Sequence, residues 1–141
     1  MTEEQQKKMR RCYWIFEGDT FVVNPHYKPP KKNKFNARKT WYNNEMVDSL
    51  KEANVWRRLE IKKRRGMIVD FERQVLLPIV VNGKKISKVI VDFKVTHPNG
   101  SVEYIDAKGI NDAGKAITLK PDFRIKMKLI QAIYNIKINI I

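Results

Sequence analysis

Cysteine is nearly missing from this chain: Cys12 is the single one in 141 residues. No internal disulfide can form, and no cysteine cluster is available for structural zinc, so the core has to hold by packing. Long apolar runs are missing too. No stretch approaches the roughly 20 residues of a membrane helix, and the opening MTEEQQKKMRRC lacks the apolar centre of a signal peptide. These absences predict a protein without membrane spans that works in the cytoplasm. The sequence also carries no glycine-rich phosphate loop, no Ser-His-Asp arrangement and no dinucleotide fingerprint. Acidic residues are in short supply: 15 Asp and Glu stand against 29 Lys and Arg.

What remains is a strongly basic chain of one-domain size, with a formal net charge of +14, 43% hydrophobic and 31% charged residues. Such an excess repels itself and creates a positive field around a small body. A polyanion is the expected partner, and nucleic acid is the leading one. An anionic membrane surface is the weaker alternative, because no strongly amphipathic basic helix is evident.

Composition divides the chain. Residues 1–12 are polar and suit a short frayed helix, and YWIFEGDTFVV (13–23) reads as a hairpin around Gly18 and Asp19. The segment NPHYKPPKKNKFNARK (24–39) has no apolar periodicity and reads as an arm or linker. As an arm it offers Lys31, Lys32, Lys34, Arg38 and Lys39 to phosphates, and Tyr27 or Phe35 for stacking on a base. As a linker its charge has no such role. From Asn44 to Arg65 a run free of Gly and Pro, closed by Gly66, predicts a helix. Within it Glu52 shares a face with Val55, Trp56 and Leu59 at helical spacing. A carboxylate on that face is either functional or a rim residue paired with Lys51 or Lys63.

The next segments are strands. MIVDFERQVLLPIVV (67–81) is β-branched, with a break or bulge expected near Pro78, and NGKK follows as a turn. In ISKVIVDFKVT (86–96), alternation puts Ser87, Val89, Val91, Phe93 and Val95 on one face, and Lys88, Ile90, Asp92 and Lys94 on the other. After HPNG, the run VEYIDAK places Val102, Tyr104, Asp106 and Lys108 on one side and Glu103 on the other. A three-residue loop Pro98-Asn99-Gly100 would set His97 against Ser101 and therefore Asp92 opposite Asp106. Like charges at facing positions repel unless a cation lies between them. A hard divalent ion, Mg²⁺ or Mn²⁺, answers that need with oxygen ligands alone.

The ordered set of a helical glutamate (Glu52 in SLKEA), Asp92 in VDF and Asp-x-Lys (Asp106, Ala107, Lys108) resembles the PD-(D/E)XK nuclease superfamily. Residues 31–134, with the landmarks KKNKFNARKT, SLKEA, Gln74, VDFKV, YIDAKG and FRIKMKL, resemble its small phage-encoded branch of Holliday-junction-resolvase-like endonucleases. Val91 stands where the superfamily's name has proline. The resemblance implies an α/β (mixed α+β) fold with a restriction-endonuclease-like core of helix, three-stranded meander, helix and strand. Residues 1–30 would be an N-terminal extension and residues 31–141 the nuclease domain. KPDFRIKMKLIQAIY (120–134) suits the second helix, with Ile125, Leu129 and Ile133 buried and Lys120, Arg124, Lys126 and Lys128 facing DNA, and IKINII closes as a strand. Gly109 and Gly114 would bracket a loop.

The activity implied is Mg²⁺-dependent hydrolysis of phosphodiester bonds in branched DNA, in the host cytoplasm if the chain is phage-encoded. Asp92, Asp106 and the Ala107 carbonyl would hold the metal, with Glu52 as a further ligand. Lys108 would orient the attacking water or stabilise developing charge, and Gln74 would hold a water or phosphate; its alternative is a strand-edge amide. Symmetric cutting would favour a homodimer. His97 reads as incidental to the chemistry. The competing function is a non-catalytic DNA-binding module that keeps the same fold.

Overall fold

The computed structural model describes residues 1–29, 38–107 and 121–141. Among these the chain is mixed α+β, with three helices and two mixed four-stranded sheets. It divides into two compact units, Met1–Arg57 and Arg58–Ile141. No helix among the described residues is long and apolar enough to cross a membrane.

The first unit begins with α1 (Glu3–Arg10), whose start is closed by a capping box between Thr2 and Gln5. Strands β1 (Cys12–Glu17) and β2 (Thr20–Val23) form the expected hairpin, with Glu17 opposite Thr20 and Gly18 at φ 64. β3 (Lys39–Tyr42) runs parallel to β1, and β4 (Glu45–Val47) returns against β3, giving the order β2-β1-β3-β4. The parallel pairing joins residues on both sides of the 30/31 boundary that the resemblance implied. A helix starting at Asn44 was expected, yet residues 45–47 are strand. Asn43 and Asn44 take φ 50 and 59, the two left-handed residues of a tight hairpin turn. Helix α2 (Leu50–Arg64) starts later, where the Ser49 hydroxyl accepts the Glu52 N–H at 3.0 Å. Its Glu52, Val55, Trp56 and Leu59 are all buried, as their spacing predicted. Rings fill the unit: Tyr42 meets Trp56 edge-on at 4.9 Å and Phe16 at 5.2 Å between centroids.

The second unit is built on β5 (Asp70–Val81), β6 (Lys84–Thr96), β7 (Val102–Asp106) and β8 (Ile138–Ile140), in that order across the sheet. β5, β6 and β7 form an antiparallel meander, and helix α3 (Pro121–Tyr134) precedes β8, which lies parallel to β7. Asn82 and Gly83, at φ 51 and 74, turn β5 into β6. The bulge expected near Pro78 falls between Ile79 and Val80, and β5 is an edge strand, where proline is tolerated. Leu77, Ile79, Val89, Val91, Met127, Ile130 and Ile138 form one aliphatic cluster. The expected buried stripe of α3 is corrected. Ile125, Leu129 and Ile133 are exposed, while Met127 and Ile130 are buried with Phe123 packed beside them. Both stripes have helical spacing, and the sheet covers the second. Tyr134, next along that stripe, donates its hydroxyl to the Pro78 carbonyl at 2.8 Å.

Candidate functional site

The site is set by the hairpin of β6 and β7. Their ladder runs from Phe93 opposite Ile105 to Thr96 opposite Val102. At the turn the His97 N–H donates to the Ser101 carbonyl at 2.9 Å, and the Gly100 N–H to the His97 carbonyl at 2.9 Å. Gly100 takes φ 85, the left-handed position of the three-residue loop. One step beyond the last ladder pair, the same register sets Asp92 against Asp106. Val91, Phe93 and Val95 are buried on the other face of β6, so the alternation read from the sequence holds.

Asp92 is half-buried, and both of its oxygens are engaged. Oδ2 accepts the Ala107 backbone N–H at 2.9 Å, and Oδ1 accepts the Gln74 side-chain amide at 3.4 Å. Asp106 is 2% exposed, with both carboxylate oxygens sealed from solvent, and its carbonyl accepts the Ile141 N–H at 3.0 Å. The residue that follows β8 thus braces the strand that carries Asp106. Glu103, on the opposite side of β7, is bonded to His97 at 2.9 Å and to the Asn139 amide at 2.9 Å, which accounts for both side chains structurally.

Gln74 carries a feature the sequence did not announce. It lies between the ladder pairs Arg73–Phe93 and Val75–Val91, and so faces Asp92. Its φ is 53, inside a strand. Left-handed backbone in a residue with a Cβ is unfavourable by about 1–2 kcal/mol. No chain reversal requires it here, and strain of this kind gathers at functional positions.

Gln74, Asp92, Asp106 and Ala107 therefore converge on the second sheet. Glu52 belongs to the first unit, where it is 5% exposed on α2. Among the described residues no three His, Cys, Asp or Glu side chains form a metal-ligating group. The donors at Asp92 and Asp106 still suit a hard divalent ion. They are oxygens throughout, and Mg²⁺ is commonly held by one or two carboxylates with waters and substrate phosphate completing its shell. The bonded oxygens of Asp92 keep further lone pairs for such an ion.

The basic candidates separate. Arg124 and Lys128 are exposed on α3 and Lys126 is half-buried. Arg38 lies over the Tyr13 ring at 4.1 Å, and Lys39 pairs with Asp48 at 3.3 Å, so neither projects as an unengaged arm residue. Lys31, Lys32, Lys34, Phe35, Lys108, Gly109, Gly114 and Lys120 lie outside the described residues. Sequence reading missed Arg10, His26 and Lys28, which line a cleft of about 380 Å³ with Pro25 and Tyr27. Their separation along the chain hid that grouping.

A mixed α+β protein with facing aspartates on an antiparallel hairpin is the class these observations define. The chain belongs to the family described as Protein of unknown function (DUF1064), whose model matches residues 32–139. That span includes Glu52, Gln74, Asp92 and Asp106, whereas α1, β1 and β2 precede it. No curated protein and no solved structure matches the chain.

Proposed function

We propose that the protein is a metal-dependent endonuclease acting on branched DNA. The observation that carries the reading is the convergence of Asp92 and Asp106 at facing strand positions, beside a strained Gln74, in a chain of net charge +14. The order of helix, three-stranded meander, helix and strand from α2 to β8 agrees with the restriction-endonuclease-like core that this function would use.

Asp92 and Asp106, with the Ala107 carbonyl, would hold Mg²⁺ or Mn²⁺, which supplies charge screening and an activated water. The Ala107 N–H fixes the orientation of the Asp92 carboxylate, so the pair is set before substrate arrives. The Gln74 amide, held at Asp92, positions a water or a phosphate oxygen. Lys108, two residues after Asp106 in sequence, is assigned the orienting or charge-stabilising amine. Arg124, Lys126 and Lys128 contact the DNA backbone without reading bases. A homodimer would cut two strands symmetrically.

The test is cleavage of labelled four-way junctions, flaps, forks and duplex with Mg²⁺, Mn²⁺ or EDTA. Asp92→Ala and Lys108→Ala are expected to reduce cutting more than about a hundredfold, beyond what loss of a merely orienting neighbour causes, and to leave junction binding intact. Mg²⁺ should also raise the melting temperature of the wild type by about 5 °C at ten times its dissociation constant, and leave an Asp92→Asn, Asp106→Asn variant unmoved. Binding without cutting under any metal would replace this reading with a non-catalytic DNA-binding module, which the basic excess supports by itself. Light scattering that shows monomers with and without a junction would remove the dimer.

A further inference from the structure

The cleft in the first unit lies away from the second sheet in sequence and is lined by Arg10, Pro25, His26, Tyr27 and Lys28, with no carboxylate in its wall. Arg10 ends α1, and Lys28 follows β2 by five residues. The Lys28 N–H donates to the Arg10 carbonyl at 2.8 Å, which fixes the two backbones side by side. Two cationic side chains on neighbouring backbone repel each other, as facing like charges do on a sheet. Neither has a carboxylate partner among the described residues, and both are exposed. An anion between them would remove the repulsion.

The loop that presents these groups is built rather than loose. Asn24 is 3% exposed; its side-chain amide donates to the carbonyls of Met9 at 2.9 Å and Cys12 at 3.0 Å, and its Oδ1 accepts the His26 N–H at 3.0 Å. The Tyr27 N–H donates to the Asn24 carbonyl at 3.2 Å. Tyr27 itself stands edge-on to Tyr13 at 5.3 Å, and Arg38 covers Tyr13 at 4.1 Å. One aromatic is therefore fixed in place next to several cations. A held cleft loses little entropy when it binds.

Converging cations beside an aromatic match the repeating unit of a nucleic-acid strand, a phosphodiester with a base that offers a π-face. A free inorganic anion would use the charges and leave the ring idle. We infer that this cleft is a second nucleic-acid subsite that grips one strand, a phosphate between Arg10 and Lys28 and a base on Tyr27. It does not require the chain to cut DNA. It lies outside the span matched by the family model, so it would be a property of this chain's own N-terminal unit.

Fluorescence anisotropy with a short labelled oligothymidylate, in EDTA so that no cutting intervenes, tests the inference on the full chain. Arg10→Glu with Lys28→Glu should weaken binding more than about tenfold and flatten the slope of log affinity against log salt by about 0.7, the release expected from one phosphate on a single strand. The same charge change at the exposed β5–β6 turn, Lys84→Glu with Lys85→Glu, should weaken it far less. Tyr27→Ala should lose about tenfold on the oligothymidylate and nothing on an abasic oligomer of equal charge. If circular dichroism shows the Glu pair misfolded, Arg10→Gln with Lys28→Gln is read by the same comparison. Equal losses at both sites would reduce the effect to bulk charge and overturn the subsite, as would no loss at the cleft. Tighter binding of anionic phospholipid vesicles than of the oligomer would overturn it in favour of a membrane surface.

Discussion

The two sheets handle backbone strain differently. In the first sheet the left-handed residues, Gly18, Asn43 and Asn44, fall in the turns between short strands. In the second, Asn82, Gly83 and Gly100 also fall in turns, but Gln74 takes the same conformation in the middle of a twelve-residue strand. Turn strain is needed to reverse the chain. Strain at Gln74 reverses nothing, and its visible consequence is a side-chain amide held against Asp92. The cores differ as well: rings fill the first unit, whereas aliphatic side chains from the strands and α3 fill the second.

The largest effect should come from the aliphatic cluster. Ile130→Ala, at a side chain with 0% exposure, is expected to lower unfolding stability by about 2–5 kcal/mol. Ile125→Ala, at 60% exposure on the same helix, should change it by less than about 0.5 kcal/mol. Urea denaturation of both variants separates the two stripes, and equal losses would break the assignment of the buried one.

A middle-sized effect addresses the strain. Valine normally favours strands and glycine weakens them. At position 74 the order should invert, because glycine accepts a positive φ and a β-branched residue does not. Gln74→Val is expected to be less stable than Gln74→Gly by about 1–2 kcal/mol. If valine proves the more stable in denaturant titrations, the backbone at Gln74 is not strained and the contrast between the sheets disappears.

An effect confined to alkaline pH, and absent at neutral pH, belongs to Cys12 on β1. Burial pushes its thiol up to about 11 from an ordinary value near 9, with Lys39 pulling slightly the other way. A raised folded value means that the unfolded chain ionises first. Its contribution is therefore whole below pH 9 and is lost as pH rises towards about 11. The urea midpoint of the wild type should fall more steeply over that window than that of Cys12→Ala. Parallel curves would show that the thiol is not shielded.

Much of the candidate site was legible before the structure. The Pro98-Asn99-Gly100 loop and strict alternation along residues 86–96 predicted Asp92 opposite Asp106, and the ladder carries that register. Glu52 was legible as a carboxylate on a buried helix face. Other parts were not. Asn43-Asn44 is a hairpin turn signal, yet the helix formers after it masked the short strand β4. The Arg10, His26 and Lys28 cleft escaped because a hydrogen bond across 18 residues brings its two walls together.

By itself, then, the amino-acid order determined the turns, the face each strand residue takes and the facing aspartates, because those follow from steric limits and a two-residue period acting over a few neighbours. Tertiary structure alone decided which stripe of α3 is buried, the parallel joining of β1 to β3 and of β7 to β8, and the left-handed backbone at Gln74. Each of these is a choice between locally equivalent options. It is settled by which distant segment covers the surface, a packing energy that no local pattern records.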